Sequence, residues 1–292
     1  MSGLSDYAAQ ALLNWETGLA GMPAVTNRYL ALFTTAPTAD AGTGGTEVTG
    51  GSYARVQIAG QGTTNASTST SSATLSFAST PAWIVPGMSV KDVTSPTAIT
   101  GGQTVLSVTG TTVVMSANAN ASVGSGDTLQ FSMWPASSAS SGSEPATVPA
   151  TVTNGGVITF PAATANWGTV VAYGVYDALT GGNLINWDYL GNYKWQPFTC
   201  SNASPGVLTS PASALTNGTS LVVTTKFGGT LPSTGGSWAG ILTSANGATD
   251  SFTAGVNTTS TGDGSFRQVL QQSIPSGVTA SFASTTFTLT SA

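Results

Sequence analysis

The stretch Trp167-Gly168-Thr169-Val170-Val171-Ala172-Tyr173-Gly174-Val175-Tyr176-Asp177 alternates aromatic and β-branched residues with small ones, and Thr180-Gly181-Gly182-Asn183 separates it from Leu184-Ile185-Asn186-Trp187. A period of two marks a strand, because successive side chains point to opposite faces of a sheet. Two such runs joined by a glycine-containing turn make a hairpin. The most aromatic segment of the chain therefore reads as antiparallel β-structure.

The same grammar extends outward. Upstream, Tyr29-Leu30-Ala31-Leu32-Phe33 reads as a buried strand, residues 37–52 as a Gly- and Thr-rich loop, and Tyr53-Ala54-Arg55-Val56-Gln57-Ile58 as a return to extended chain, with Arg55 a structural charge near Glu47 or Asp40. Residues 61–72 are almost all small and polar and read as a linker. From residue 73 to 131 the pattern becomes short, evenly spaced strands: Thr74–Phe77, Ser89–Val93, Thr104–Val108, Thr112–Met115 and Thr128–Phe131. Turns at Pro86-Gly87, Gly101-Gly102, Thr109-Gly110 and Gly126-Asp127 divide them into a small β-domain. Residues 135–149, rich in Ser, Ala and Pro, read as a second linker before a strand at Val157–Pro161. Further strands are expected at Ser220–Thr225, Trp238–Leu242, Asp250–Thr253, Gln268–Gln271, Thr279–Phe282 and Phe287–Thr290.

Composition agrees with an all-β class and removes most catalytic chemistry. The 292 residues include 6 Lys+Arg, 11 Asp+Glu, no His and one Cys. Without His there is no Ser-His-Asp triad, Cys-His pair or imidazole metal site, and a single Cys builds neither a zinc knuckle nor a disulfide framework. No catalytic, cofactor or metal site is expected. Charged residues are 6% of the chain, against about 25% in an ordinary protein, while apolar residues are 40%. The chain should fold rather than remain disordered. With a net charge of −5, the cations Arg28, Arg55, Lys91, Lys194, Lys226 and Arg267 form no basic stripe, so nucleic acid is not an expected partner. No segment approaches the ~18 apolar residues of a membrane helix. The start Met1-Ser2-Gly3-Leu4-Ser5-Asp6 lacks a secretory pattern, and assembly in a cytoplasm is expected.

One helix is expected, at the start. Leu4, Ala8, Ala11, Leu12, Trp15 and Leu19 recur at three- and four-residue spacing, with Ser5 as N-cap and Gly18 as stop. The simpler expectation packs this stripe on the protein's own sheet. The alternative makes it a docking helix for a neighbouring subunit, through Leu4, Ala8, Leu12 and Trp15. Depletion of charge, together with thin cores in small β-modules, points to an obligate homo-oligomer, a homotrimer if it sits on a symmetric appendage.

Two surface features invite chemistry. Asp177 and Asp188 flank the hairpin and form a candidate acid pair for glycan hydrolysis, against the simpler reading of Asp177 as a strand-end cap and of Asp127, Asp250 and Asp263 as turn residues. Trp187, Tyr189, Tyr193 and Trp195, with Lys194 among them, form a candidate glycan-contact or interface cluster. The alternative packs Trp187 and its neighbours within the protein. Trp83, Trp134, Trp167 and Trp238 read as core residues, and Cys200 as an inert thiol.

Several blocks also stand in a familiar order: Leu4-Ser5-Asp6-Tyr7-Ala8; Leu30 to Thr38; Gly44-Gly45-Thr46-Glu47-Val48 with Gly51-Ser52-Tyr53-Ala54-Arg55; Ile158 to Ala165 with Trp167-Gly168-Thr169-Val170; Tyr176-Asp177-Ala178 with Gly181-Gly182-Asn183-Leu184; and Ser276 through Leu289. In these the chain resembles a family of tailed-bacteriophage tail fibre or minor tail proteins. The resemblance implies a discontinuous β-sandwich core over residues 1–57, 150–192 and 266–292, closed by a terminal strand pair. Two inserted β-modules, at 58–149 and 193–265, would decorate it. It further implies a virion structural protein, placed on the tail or its fibres, contributing to assembly and host attachment. Expected partners are copies of itself, other virion proteins and a host-surface glycan or protein receptor. A capsid decoration or cement protein of the phage head is the alternative, and a glycan-degrading appendage enzyme the second alternative.

Overall fold

The hairpin forms, and it stands near one edge of a large antiparallel sheet. The computed structural model describes residues 3–21, 26–37, 45–135, 150–190, 196–200, 220–225, 238–243, 249–254, 262–269 and 272–291. Its elements begin with β1 (Gly3–Leu4), α1 (Asp6–Glu16), β2 (Arg28–Thr35), β3 (Thr46–Glu47), β4 (Val56–Thr63), β5 (Thr74–Ser76), β6 (Ser89–Asp92), β7 (Thr100–Val108), β8 (Thr112–Met115) and β9 (Thr128–Ser132). They continue with β10 (Ala150–Thr153), β11 (Ile158–Ala162), β12 (Thr169–Val170), β13 (Ala172–Tyr176) and β14 (Leu184–Tyr189). The remainder are β15 (Gln196–Cys200), β16 (Ser220–Thr225), β17 (Trp238–Thr243), β18 (Thr249–Ala254), β19 (Gly262–Val269), β20 (Gln272–Ser273), β21 (Thr279–Phe282) and β22 (Thr288–Ser291). The described residues are mostly β, with one short helix, as composition implies.

The chain divides into two units, residues 1–188 with 273–292, and 189–272. In the first, the main sheet runs β1-β14-β13-β2-β4-β9-β6-β7-β8-β5, with β3 added on β2. β2 lies deep in it because Leu30, Ala31, Leu32 and Phe33 are all buried, and it pairs with β13 from Ala172↔Phe33 to Tyr176↔Tyr29. Gly174 keeps this packing close: a Cβ there would stand 2.8 Å from both Leu184 Cδ1 and Phe33 Cε2. The sheet crosses from residues 1–57 into 58–149 through β4, which pairs with β2 on one side and β9 on the other.

Three two-stranded ribbons, β10 with β22, β11 with β21 and β12 with β20, supply the opposing layer. Aromatic rings join ribbons and sheet. Phe160 of β11 stacks on Tyr53 at 6.2 Å, Phe287 meets Tyr173 of β13 edge-on at 4.6 Å, and Phe282 lies 4.8 Å from Phe287. Such offset and edge contacts exceed the value of area burial alone. Asn154 holds the ribbons' corner: it is fully buried, donates through Nδ2 to Gly156 O and Ala283 O, and accepts at Oδ1 from Phe287 N.

The second unit comprises a three-stranded sheet, β15-β19-β16, and a hairpin of β17 with β18. β19 pairs with β15 from Gln196↔Phe266 to Cys200↔Gly262 and with β16 from Ser220↔Val269 to Thr225↔Gly264.

Four local expectations are corrected. Residues 61–63 continue β4, pairing Gln61↔Gln130, Gly62↔Leu129 and Thr63↔Thr128, and the supposed linker goes on to bury Thr64 and Thr68. Their hydroxyls donate to Gly124 O and Thr74 O, so small polar residues are buried without loss of hydrogen bonds. Gly101 and Gly102 lie inside β7 rather than in a turn, where the register against β6 shifts between Val90 and Lys91. β21 and β22 do not pair with each other; each pairs with a strand of the 150–162 region. Leu4 is not helical: it lies in β1, opposite Asn186. The linker expected at 135–149 falls, from residue 136 on, outside the described residues, as do Asp40 and the side chains of Trp238, Asp250, Asp263 and Cys200.

Candidate functional site

The edge of the main sheet that carries β1, α1 and β14 gathers most residues singled out from sequence. Ser5 is the helix N-cap, in extended conformation, and its Oγ accepts from Ala8 N at 3.2 Å. The same hydroxyl donates to Leu184 O, and Ser5 N donates to Ile185 O at 3.0 Å. One buried serine thus starts the helix and ties it to β14. At the other end, Thr17 is the C-cap and Gly18 adopts φ +72°, a left-handed stop that favours glycine.

Between these ends the helix buries none of its residues. Ala8 and Leu12 are half-buried, whereas Leu13 is 58% exposed, Trp15 56% and Leu19, just beyond the helix, 80%. Of the stripe expected to pack on the protein's own sheet, Ala8, Ala11 and Leu12 are half-buried, whereas Trp15 and Leu19 stand exposed. The reason lies in the anchoring: Ser5 and β1 hold the helix by its first residues, and nothing in the described residues covers its far end.

The hairpin beside it is closed by polar bonds. Asp177 Oδ1 accepts from Asn183 N at 2.6 Å and Oδ2 from Asn183 Nδ2 at 2.8 Å. Gly181 and Gly182 have φ +60° and +74°, and a Cβ on Gly182 would lie 2.4 Å from Asp177 Oδ1. Asp177 is a cap, with both oxygens engaged by one asparagine.

Arg55 locks this hairpin to the centre of the sheet. Its Nε donates to Glu47 Oε1 at 2.9 Å and Nη2 to Glu47 Oε2 at 2.7 Å, a bidentate pair. Nη1 donates to Ala178 O at 2.8 Å and Gly181 O at 2.7 Å, and the guanidinium carbon lies 3.5 Å from the centroid of the Tyr176 ring. Glu47 also accepts from the Tyr53 hydroxyl, which in turn accepts from Leu32 N. Burial, reinforced by the Glu47 carboxylate, raises the Tyr53 phenol well above its ordinary value; burial likewise raises Tyr176. Burial lowers Arg28, an effect opposed by Asp177 and Tyr7. Glu47 was foreseen as a partner of Arg55; the carbonyls of 178 and 181 were not, since only the fold brings them to β4.

Of the aromatic cluster, Trp187 is buried on β14, Tyr189 is half-buried, and Tyr193 and Trp195 fall outside the described residues. Trp167 is buried, its Nε1 donating to Gly51 O at 2.9 Å, while Trp83 and Trp134 are half-buried against Phe131 and Phe287. Among the described residues no three His, Cys, Asp or Glu side chains gather in a way that could hold a metal ion, and no helix is long and apolar enough to cross a membrane. The arrangement is one of structural clamps beside an exposed apolar helix.

Comparison with known proteins returns a family described as podophage GP4 fiber I protein gp80, which matches residues 3–135 and 134–195. No curated protein matches the chain.

Proposed function

The chain belongs to the podophage GP4 fiber I protein gp80 family, and from that premise we propose that it helps to assemble a phage tail fibre and contributes to attachment to the host. Membership makes it a structural protein of the virion, in association with other virion components. The family is one of structural fibre proteins rather than enzymes, and Asp177, each of whose oxygens accepts from Asn183 to close the hairpin, supports that reading over the glycan-hydrolase one. A fibre position is likewise favoured over decoration of the head.

The observation that carries the assembly reading is the helix. Exposed Leu13, Trp15 and Leu19, on and just beyond a helix that Ser5 ties to a sheet edge, offer the apolar contacts that a docking element requires. We assign docking to α1 and the residues after it, and a homotrimer as the assembled form. The purified full chain should sediment as a trimer at micromolar concentration; a persistent monomer would refute the oligomer.

Attachment is tested separately. Host cells incubated with the purified chain should adsorb the parent phage more slowly, as occupied receptors become scarce. Unchanged adsorption with saturating chain would remove the attachment role and leave assembly alone. Within the aromatic cluster, Tyr189 is the described residue with surface to offer a glycan or protein receptor, and Tyr193 and Trp195 remain its proposed companions.

A further inference from the structure

Two carboxyl groups meet in the first unit, far in sequence from the hairpin clamp. Asp92 ends β6 and Asp127 stands in the turn before β9; the register places Asp92 opposite Leu129, and Val93 N donates to Thr128 O at 2.9 Å. Both carboxyls converge on Ser95. Its N–H donates to Asp92 Oδ1 at 2.7 Å, and its hydroxyl to Asp127 Oδ2 at 3.3 Å, an oxygen that also accepts from Gly124 N at 2.6 Å.

The surroundings do not suit two charges. Asp92 is 0% exposed and Asp127 8%, and Asp92 Oδ2 is buried with no donor. The groups that face the pair are Ser95, Thr94 and Gly124 with Asp127 itself; Lys91, next to Asp92 on β6, is exposed to solvent. A buried carboxylate with an unmatched oxygen and a second carboxylate as neighbour is costly in both desolvation and repulsion. Two carboxyls in one site relieve both by keeping a single proton between them.

We propose that Asp92 keeps its proton above the range in which an ordinary aspartate loses it, its Oδ2–H donating to the Asp127 carboxyl, and that this bond pins the turn after β6 to the turn before β9. Burial, and then the neighbouring Asp127, hold the Asp92 carboxyl above the usual aspartate range. The sign follows from linkage: a folded-state value above the unfolded one gives stability that is fully present below about pH 4 and lost as pH rises through the raised value.

The test compares the full chain with Asp92→Asn, which keeps the shape and offers an N–H where the neutral carboxyl offers an O–H. Thermal unfolding of both, between about pH 4 and pH 8, brackets the ordinary and raised aspartate ranges. The wild-type melting temperature should fall relative to the variant as pH rises, with the two curves converging towards acid. Infrared spectra of the wild type, taken above the ordinary aspartate range, should carry a protonated-carboxyl C=O band that Asp92→Asn lacks and that titrates away as pH rises further. Parallel melting curves with no such band would overturn the proposal. So would a melting temperature raised by added calcium in the wild type but not in Asp92→Asn, since the pair would then hold a cation. Should the variant fail to fold, the infrared titration of the wild type decides.

Discussion

Arg55 shows how a nearly uncharged chain uses the few charges it has. One guanidinium, its side chain 8% exposed, closes a bidentate bond to Glu47, satisfies two hairpin carbonyls and covers the Tyr176 ring. Arg55→Lys keeps the charge but cannot reproduce the fork, and leaves part-buried acceptors unmatched. It should lower unfolding free energy by about 2–3 kcal/mol, read by denaturant titration. Tyr53→Phe should cost about 1–2 kcal/mol near neutral pH, through the Glu47 and Leu32 bonds. Because burial raises the Tyr53 phenol in the folded state, its contribution is intact below about pH 10 and is lost as pH climbs beyond it. The alkaline decline in melting temperature should therefore be shallower in Tyr53→Phe than in the wild type. The sequence offered Glu47 or Asp40 as the charge near Arg55, and Glu47 is bonded to it. Nothing in the sequence announced the meeting of Asp92 with Asp127, which depends on the register of β6 against β9.

Among the elements, those with a strong local signal were legible. β8 occupies Thr112–Met115 and β16 Ser220–Thr225, as their β-branched runs require, and the hairpin turn falls at the paired glycines. Gly182→Ala should destabilise the chain by about 1–3 kcal/mol, because φ +74° disfavours any Cβ and this one meets Asp177 Oδ1. Legibility failed where tertiary partners override local composition. The polar residues 61–72 looked too small to bury, yet Thr64 and Thr68 find carbonyl acceptors that only the folded sheet brings near. The family resemblance implied a closing pair of terminal strands, but Asn154 bonds the corner between them and each pairs in a different ribbon. The helix was legible in its caps and not in its surroundings: Ser5 and Gly18 act as expected, while the stripe's burial depends on partners that a periodicity does not reveal. Ser5→Ala should cost about 1–2 kcal/mol through loss of the cap and of the bond to Leu184 O. A double replacement of exposed Leu13 and Trp15 by Ser should leave the monomer's melting temperature nearly unchanged but weaken self-association; a folded variant with undiminished oligomerisation would show that α1 is not the docking element.

At the scale of the whole molecule, a β-fold held by a few polar clamps, with apolar residues displayed on an anchored helix, suits a part made to be built into something larger. The family match over residues 3–195 covers the main sheet, α1 and the hairpin and ends before β15, so β15 to β19 of the second unit and the closing strands β20 to β22 lie beyond the matched region. The central claim is a position on the tail fibre. Immunogold electron microscopy of the parent particles, with antibody raised against the purified chain, tests it most directly: label should concentrate on the tail fibres, and label spread over the head would contradict the account and make this a decoration protein.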